Sequence, residues 1–212
     1  MYRNNRYLTQ PLSKLDFCVV DTETTGGSAQ FNRVIDIAVL RFKGGEIVEK
    51  FQTLLNPQRP IPEWITNLTG ITDEMVRSAP VFSQVAPHLQ DLFGRGVFTA
   101  HNVRFDYSFL KEEFRRIGQE FNVPSVCTLK LARMLYPDIP SRSLGVLCEY
   151  LFIDIWDRHR AYGDAEATVY VLKEILRRLG KDYGINSVQE LMSFRCPKPR
   201  PQNIKINTQV GK

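Results

Sequence analysis

The chain has 212 residues, 43% hydrophobic and 24% charged, with a formal net charge of +5. That composition suits one sizeable globular domain plus a tail. It excludes a membrane-spanning helix, because no run approaches the ~18 consecutive apolar residues that one needs. No apolar stretch follows the charges of Met1–Arg6, so no signal peptide is expected and the expected location is cytoplasmic.

The basic excess is local. Residues 195–212 hold Arg195, Lys198, Arg200, Lys205 and Lys212 and no acid, which leaves the preceding chain near neutral. Such a tail either adds salt-dependent affinity for phosphate backbones or is a solvated linker. Cys18, Cys127, Cys148 and Cys196 lie far apart without CxxC spacing, which argues against structural zinc. The first three read as reduced core thiols.

Residues 1–14 read as an N-terminal extension. Phe17-Cys18-Val19-Val20 is an apolar run, a buried first strand with Asp21 at its C-terminal tip. Val34 to Phe42 and Ile47 to Leu55 are two further strands. Lys43-Gly44-Gly45-Glu46 joins them, and Gly-Gly signals a two-residue hairpin. Asn56-Pro57 through Pro62 breaks the sheet. Short helices follow at Glu63–Asn67 and Asp73–Val76, then a longer one over Val81–Phe93. Pro87 within it leaves its start or straightness open.

Val97–Ala100 is a fourth strand, and Phe105–Ile117 a helix with Phe105, Phe109, Leu110 and Phe114 on one face. A short fifth strand covers Val123–Cys127. Helices fill Leu129–Leu135, Leu144–Leu151 and Tyr162–Leu179, and Gly184 after Arg177, Arg178 and Lys181 suits a helix C-terminus. Ser187–Phe194 reads as a short helix with Ser187 as N-cap and Glu190 three residues on. Cys196 to Pro201 has linker composition. The whole reads as α/β with a mixed five-stranded sheet. One catalytic domain spans 15–184, followed by a segment over 185–194 and the tail over 195–212.

Three separated blocks carry the chemistry: Asp21-Thr22-Glu23-Thr24-Thr25-Gly26, His101-Asn102-Val103-Arg104-Phe105-Asp106, and His159-Arg160-Ala161-Tyr162-Gly163-Asp164. Phosphodiester hydrolysis needs an activated water and neutralisation of developing charge, which two divalent ions can supply. Mg²⁺ and Mn²⁺ prefer oxygen ligands, so such a site is built from carboxylates. Asp21 and Glu23, two apart on a strand, share one face and can reach the same metal pair. Asp106 and Asp164, each near a helix start, add two more. Four close anions repel one another unless cations sit between them. His159 is an imidazole suited to taking a proton near neutral pH. Thr22, Thr24 and Thr25 supply hydroxyl and N–H donors, and Gly26 and Gly27 let backbone approach a ligand.

Taken singly, each block has a plainer reading. Asp-x-Glu alone is a solvated loop, Asp106 an acid at a helix N-terminus, and His159 an exposed or capping residue. His101 suits a structural hydrogen bond, and Phe105, Phe109 and Phe114 suit a core stripe. The three blocks in this order reverse those readings.

Asp-x-Glu-Thr-Thr-Gly, His-Asn-x-x-Phe-Asp and His-x-Ala-x-Gly-Asp-Ala resemble the three exonuclease motifs of the DEDD superfamily, in its histidine branch. The pattern is similar to the proofreading epsilon subunits of bacterial DNA polymerase III. Leu68-Thr69-Gly70-Ile71-Thr72 and Cys127 to Arg133 fit it too, and the similarity spans about residues 15–180. The resemblance implies a ribonuclease H-like fold and 3′-5′ removal of nucleotides from single-stranded DNA, in proofreading or repair. It implies that Asp21, Glu23, Asp106 and Asp164 ligate two divalent ions, Mg²⁺ or Mn²⁺, with His159 as general base. Thr22, Thr24, Gly26, Gly70, Ile71, His101 and Phe105 then fall near the substrate.

Alternatives within reach of the same sequence are RNA trimming and an interaction module that tethers a polymerase or repair nuclease. Gln189-Glu190-Leu191-Met192-Ser193-Phe194 resembles the clamp-binding peptide of epsilon subunits. It implies a sliding-clamp contact through Gln189, Met192 and Phe194, beside a polymerase catalytic subunit. The plainer reading is an amphipathic helix packed on the domain.

Overall fold

The computed structural model describes residues 10–193. Most of the N-terminal extension, Phe194 and the basic tail fall outside the described residues. A 3-10 turn, Leu12–Lys14, precedes β1 (Phe17–Thr24), β2 (Val34–Lys43) and β3 (Glu46–Leu54). Then come α1 (Glu63–Thr69), α2 (Asp73–Arg77), α3 (Phe82–Arg95), β4 (Val97–Ala100), α4 (Val103–Arg116) and β5 (Ser125–Cys127). Helices α5 (Thr128–Leu135), α6 (Leu144–Tyr150), α7 (Ala161–Tyr183) and α8 (Val188–Ser193) close the order.

The sheet runs β3-β2-β1-β4-β5. β1–β2 and β2–β3 are antiparallel, β1–β4 and β4–β5 parallel. The mixed five-stranded sheet expected from the sequence is therefore present, with β1 at its centre. Gly44 and Gly45 take φ of 62° and 91°, the left-handed pair that a two-residue hairpin requires.

Helices cover both faces, so β1 is buried on both sides. Val19 and Leu40 pack with Leu172 and Ile175 of α7 on one face. Val20 and Val39 pack with Leu89 of α3 and Phe109 of α4 on the other. This alternation aims Asp21 and Glu23, in phase with Val19, at the α7 side, and Thr22 at the α4 side. The α4 side is held by aromatic pairs, including Phe114 stacked on Phe121 at 5.1 Å and Phe82 edge-on to Phe114 at 5.0 Å.

Several boundaries differ from the sequence reading. β1 runs on to Thr24, so Asp21 and Glu23 lie inside the strand and not at its tip. The ladder to β2 continues past the apolar run, pairing Asp21 with Ala38 and Glu23 with Asp36 before a bulge between Glu23 and Thr24. β5 begins only at Ser125, and α7 extends to Tyr183, where Gly184 at φ 68° caps it. Pro87 lies within α3 without ending it. Ser83 and Pro87 are both exposed, so the carbonyl that loses its partner can meet water. Cys18 and Cys148 are core thiols as expected, but Cys127 is half-exposed. Ser187 and Glu190 form the reciprocal cap expected for α8, with bonds of 2.9 and 3.3 Å. Among the described residues no helix is long and apolar enough to cross a membrane.

Candidate active site

Three elements deliver the three blocks to one end of β1. The strand supplies Asp21 and Glu23 on its α7 face. Asn102, left-handed at φ 70°, turns the chain from β4 into α4, whose first turn carries Asp106. His159, also left-handed at φ 62°, leads into α7, whose first turn carries Asp164. The His159 N–H donates to Asp164 Oδ2 at 2.9 Å, closing that turn. A Cβ on Gly163 would stand 2.0 Å from the Trp156 carbonyl oxygen, so only glycine lets this loop lie on the helix.

The blocks meet. Ligand atoms of Glu23, His159 and Asp164 all lie within 4.8 Å of one another. The Asp21 carboxyl is pushed well above the usual carboxylate range, first by burial, then by Asp106, Asp164, Glu23 and Asp36. Glu23 is pushed up to about 8 by burial and by Asp164, Asp36 and Asp106, against the opposing charge of Arg160. Burial pushes Asp106 up to about 7, although the Thr22 hydroxyl donates to its Oδ1 at 2.9 Å. Asp164 is raised by burial, with the His159 N–H opposing. Oxygen-rich donors too crowded to ionise together suit a hard divalent cation. The donor set therefore fits a metal, and the imidazole of His159 adds a nitrogen beside it.

A pH dependence follows. Raised folded values mean that folding favours the protonated acids. Without divalent cation, the contribution of these acids to stability is present in acid and is lost as pH rises from the ordinary carboxylate range through the values of about 7 and about 8. In EDTA the melting temperature should fall between about pH 5 and about pH 8, and Mg²⁺ or Mn²⁺ should restore it at the upper end. A flat profile in EDTA would contradict the crowding.

The residues expected near the substrate have other partners in the protein. Thr22 is buried and serves Asp106. Thr24 Oγ1 donates to the Gly26 carbonyl at 2.8 Å, and Thr25 Oγ1 donates to Asn32 Oδ1 at 3.3 Å. A Cβ on Gly26 would stand 2.7 Å from Asn32 Oδ1, so its close approach is to its own loop. Gly70 caps α1 at φ 72°. The Ile71 side chain is fully buried with Ile35, Ile61 and Ile65, and its backbone is engaged too, the N–H donating to Thr69 Oγ1 at 3.1 Å and the carbonyl accepting from Thr66 Oγ1 at 2.9 Å. His101 spends both ring nitrogens on Thr128 Oγ1 (3.0 Å) and the Arg142 carbonyl (2.8 Å), the structural bonding expected of it. Phe105 is half-buried and leans on Phe109 at 4.9 Å.

Sequence reading passed over Asp36, a fully buried acid directly across the ladder from Glu23. The signal was present: one carboxylate inside the apolar run Val34-Ile35-Asp36-Ile37-Ala38. It also passed over Glu113, buried on α4, which binds Arg33 at the mouth of the loop after β1.

Fold and site together define an exonuclease with a ribonuclease H-like sheet. The profile of the exonuclease family RNase_T matches residues 18–172, and the chain belongs to that family. Among curated relatives, the PolC-type DNA polymerase III of Oceanobacillus iheyensis is 42% identical over 164 residues, covering 77% of this chain. That of Bacillus subtilis is 38% identical over 168 residues, covering 78%. The chain spans only 12% of the length of each. Exonuclease X in complex with 5′-overhanging duplex DNA superimposes with a TM-score of 0.64 at 29% identity, covering 82% of this chain and 96% of that one. The nuclease domain of 3′hExo, a DEDDh family member bound to rAMP, gives 0.68 at 18% identity, covering 79% and 94%. The latter likeness is one of fold.

Proposed function

We propose that this chain is a metal-dependent 3′-5′ exonuclease that releases nucleoside monophosphates from a single-stranded 3′ end of DNA. The observation that carries the reading is the cluster of Glu23, His159 and Asp164, with ligand atoms within 4.8 Å of one another, beside an Asp21 whose carboxyl is raised by burial and by Asp106, Asp164 and Glu23. The four acids would hold two Mg²⁺ or Mn²⁺ ions, which when bound supply Lewis acidity to the scissile phosphate. His159 takes the proton from the attacking water. Asp164 holds the His159 backbone, and Thr22 orients Asp106. Thr24, Gly26, Gly70, Ile71, His101 and Phe105 frame the terminal nucleotide largely through shape, since the Thr24 hydroxyl, the His101 ring and both Ile71 backbone groups are engaged within the protein.

DNA is favoured because Exonuclease X, at 29% identity, was solved on DNA. The PolC-type relatives support a place beside a polymerase, in proofreading or repair. A sliding-clamp contact through Gln189, Met192 and Phe194 belongs to the same reading. Gln189 is exposed on α8, while Leu191 is buried in the core. A clamp pull-down that Met192→Ala and Phe194→Ala leave unchanged would end that part.

The deciding experiment is a denaturing-gel time course on 3′- and 5′-labelled single-stranded DNA and RNA of one sequence. Stepwise shortening from the 3′ end, faster on DNA and abolished by EDTA, is expected. Faster loss of RNA would reassign the substrate, and no cleavage with any metal would end the enzymatic reading.

A further inference from the structure

We infer that Asp36 and Arg160 form a positioning pair that fixes the entry of α7, and with it His159 and Asp164, against Glu23. Asp36 has no exposed surface and lies opposite Glu23 in the β1–β2 register. Its Oδ2 accepts a hydrogen bond from Arg160 Nε at 3.1 Å. Arg160 is the residue between His159 and the first turn of α7, and that helix has no N-cap side chain of its own. Burial raises the Asp36 carboxyl above the usual carboxylate range, opposed by Arg160, the Ala161 N–H and the Gln52 side chain. Its Oδ1, however, receives no hydrogen bond of ordinary geometry.

Stability does not account for this arrangement. A buried ion pair is weak support for a fold, because desolvation offsets its attraction. Here the carboxylate also sits beside the acid cluster and raises Glu23 and Asp21. A chain selected for stability alone would place an apolar residue at Asp36, between Ile35 and Ile37. The geometry gives the pair another task. His159 and Asp157 both hold left-handed backbone, φ 62° and 59°, a conformation that non-glycine residues keep only when their surroundings enforce it. Asp164 pins the loop from inside the helix, and Asp36 pins the next residue from the sheet. A second tie lies one turn on, where Lys50 of β3 meets Tyr162 and stands 3.6 Å from Glu166. With the Arg160 tie gone, His159 and Asp164 lose their fixed distance to Glu23, although neither contacts Asp36 directly.

The inference rests on the exonuclease reading, and the test separates the two. Asp36→Asn keeps the shape and removes the charge. It should lower kcat by about 10- to 100-fold, the range for residues that orient metal ligands. KM for a single-stranded oligonucleotide, and its affinity in EDTA, should stay within about twofold. Mn²⁺ affinity by titration calorimetry should weaken about tenfold. Should Asp36→Asn fail to fold, Arg160→Gln removes the same bond from the more exposed side and should show the same split. The double variant should be no worse than either single one, as expected for one shared interaction. Unchanged kcat and Mn²⁺ affinity in a folded variant of an active enzyme would overturn the pairing alone. An inactive wild type would overturn the exonuclease reading and the pairing with it.

Discussion

Asp21→Asn should abolish hydrolysis and yet stabilise the protein in EDTA. Asp21 stands among Asp106, Asp164, Glu23 and Asp36, and each of these raises its pKa on top of burial. On the proposed reading its charge would hold a cation, whose Lewis acidity would contribute several kcal/mol. A loss of about 4 kcal/mol is a drop on the order of 10³-fold in kcat. Without cation the same charge only repels its neighbours, so the amide should raise the melting temperature by several degrees at about pH 8, roughly 1 kcal/mol for a domain of this size. Opposite signs in the two measurements distinguish a site built for a cation from a merely structural acid. A variant that is both inactive and less stable in EDTA would refute the argument.

Glu113→Ala should cost more stability than any surface change. Glu113 is 1% exposed and accepts both Nε and Nη2 of Arg33, at 2.8 and 3.0 Å. It also accepts the Val34 N–H at 3.2 Å, and Arg116 stands 3.2 Å away. Arg116 in turn holds the carbonyls of Ala29 and Gln30. Removing the anion leaves the Arg33 guanidinium without its acid partner, while Arg116 keeps Glu112 at 3.6 Å, and breaking a largely buried pair from one side costs about 3–5 kcal/mol. Urea denaturation should show this loss. The damage should reach the site as well, because the network ties α4, which carries Asp106, to the loop that follows Glu23. A loss under about 1 kcal/mol would mean that solvent replaces the carboxylate.

Much of this was legible from the residues, for identifiable reasons. Apolar runs and Gly-Gly mark the central strand and hairpin, because burial and left-handed backbone each restrict residue choice locally. The acid blocks are legible because their chemistry requires those residue types. Where β1 ends is not legible from its own residues, since its last four are held by the ladder to β2. Whether Thr22 or His101 meets a ligand depends on partners distant in sequence, Asp106 and Arg142, that only folding brings close. Asp36 and Glu113 escaped for the same reason: an isolated acid shows its partner only in three dimensions.

The acids and the base are mounted on supports of unequal persistence. Asp21 and Glu23 belong to the central strand and are held by its ladder to β2, so their amides should exchange with solvent far more slowly than those of the loop before α7. His159 sits in a connection between helices beside the fully exposed Phe152 (96%) and largely exposed Trp156 (74%), which no sheet ladder holds. Opening that connection has to break only the ties to Asp164 and Asp36, not a sheet ladder. Warming should therefore loosen His159 and Asp164 before Asp21 and Glu23, so that on the proposed reading catalysis fades below the temperature at which the central strand opens.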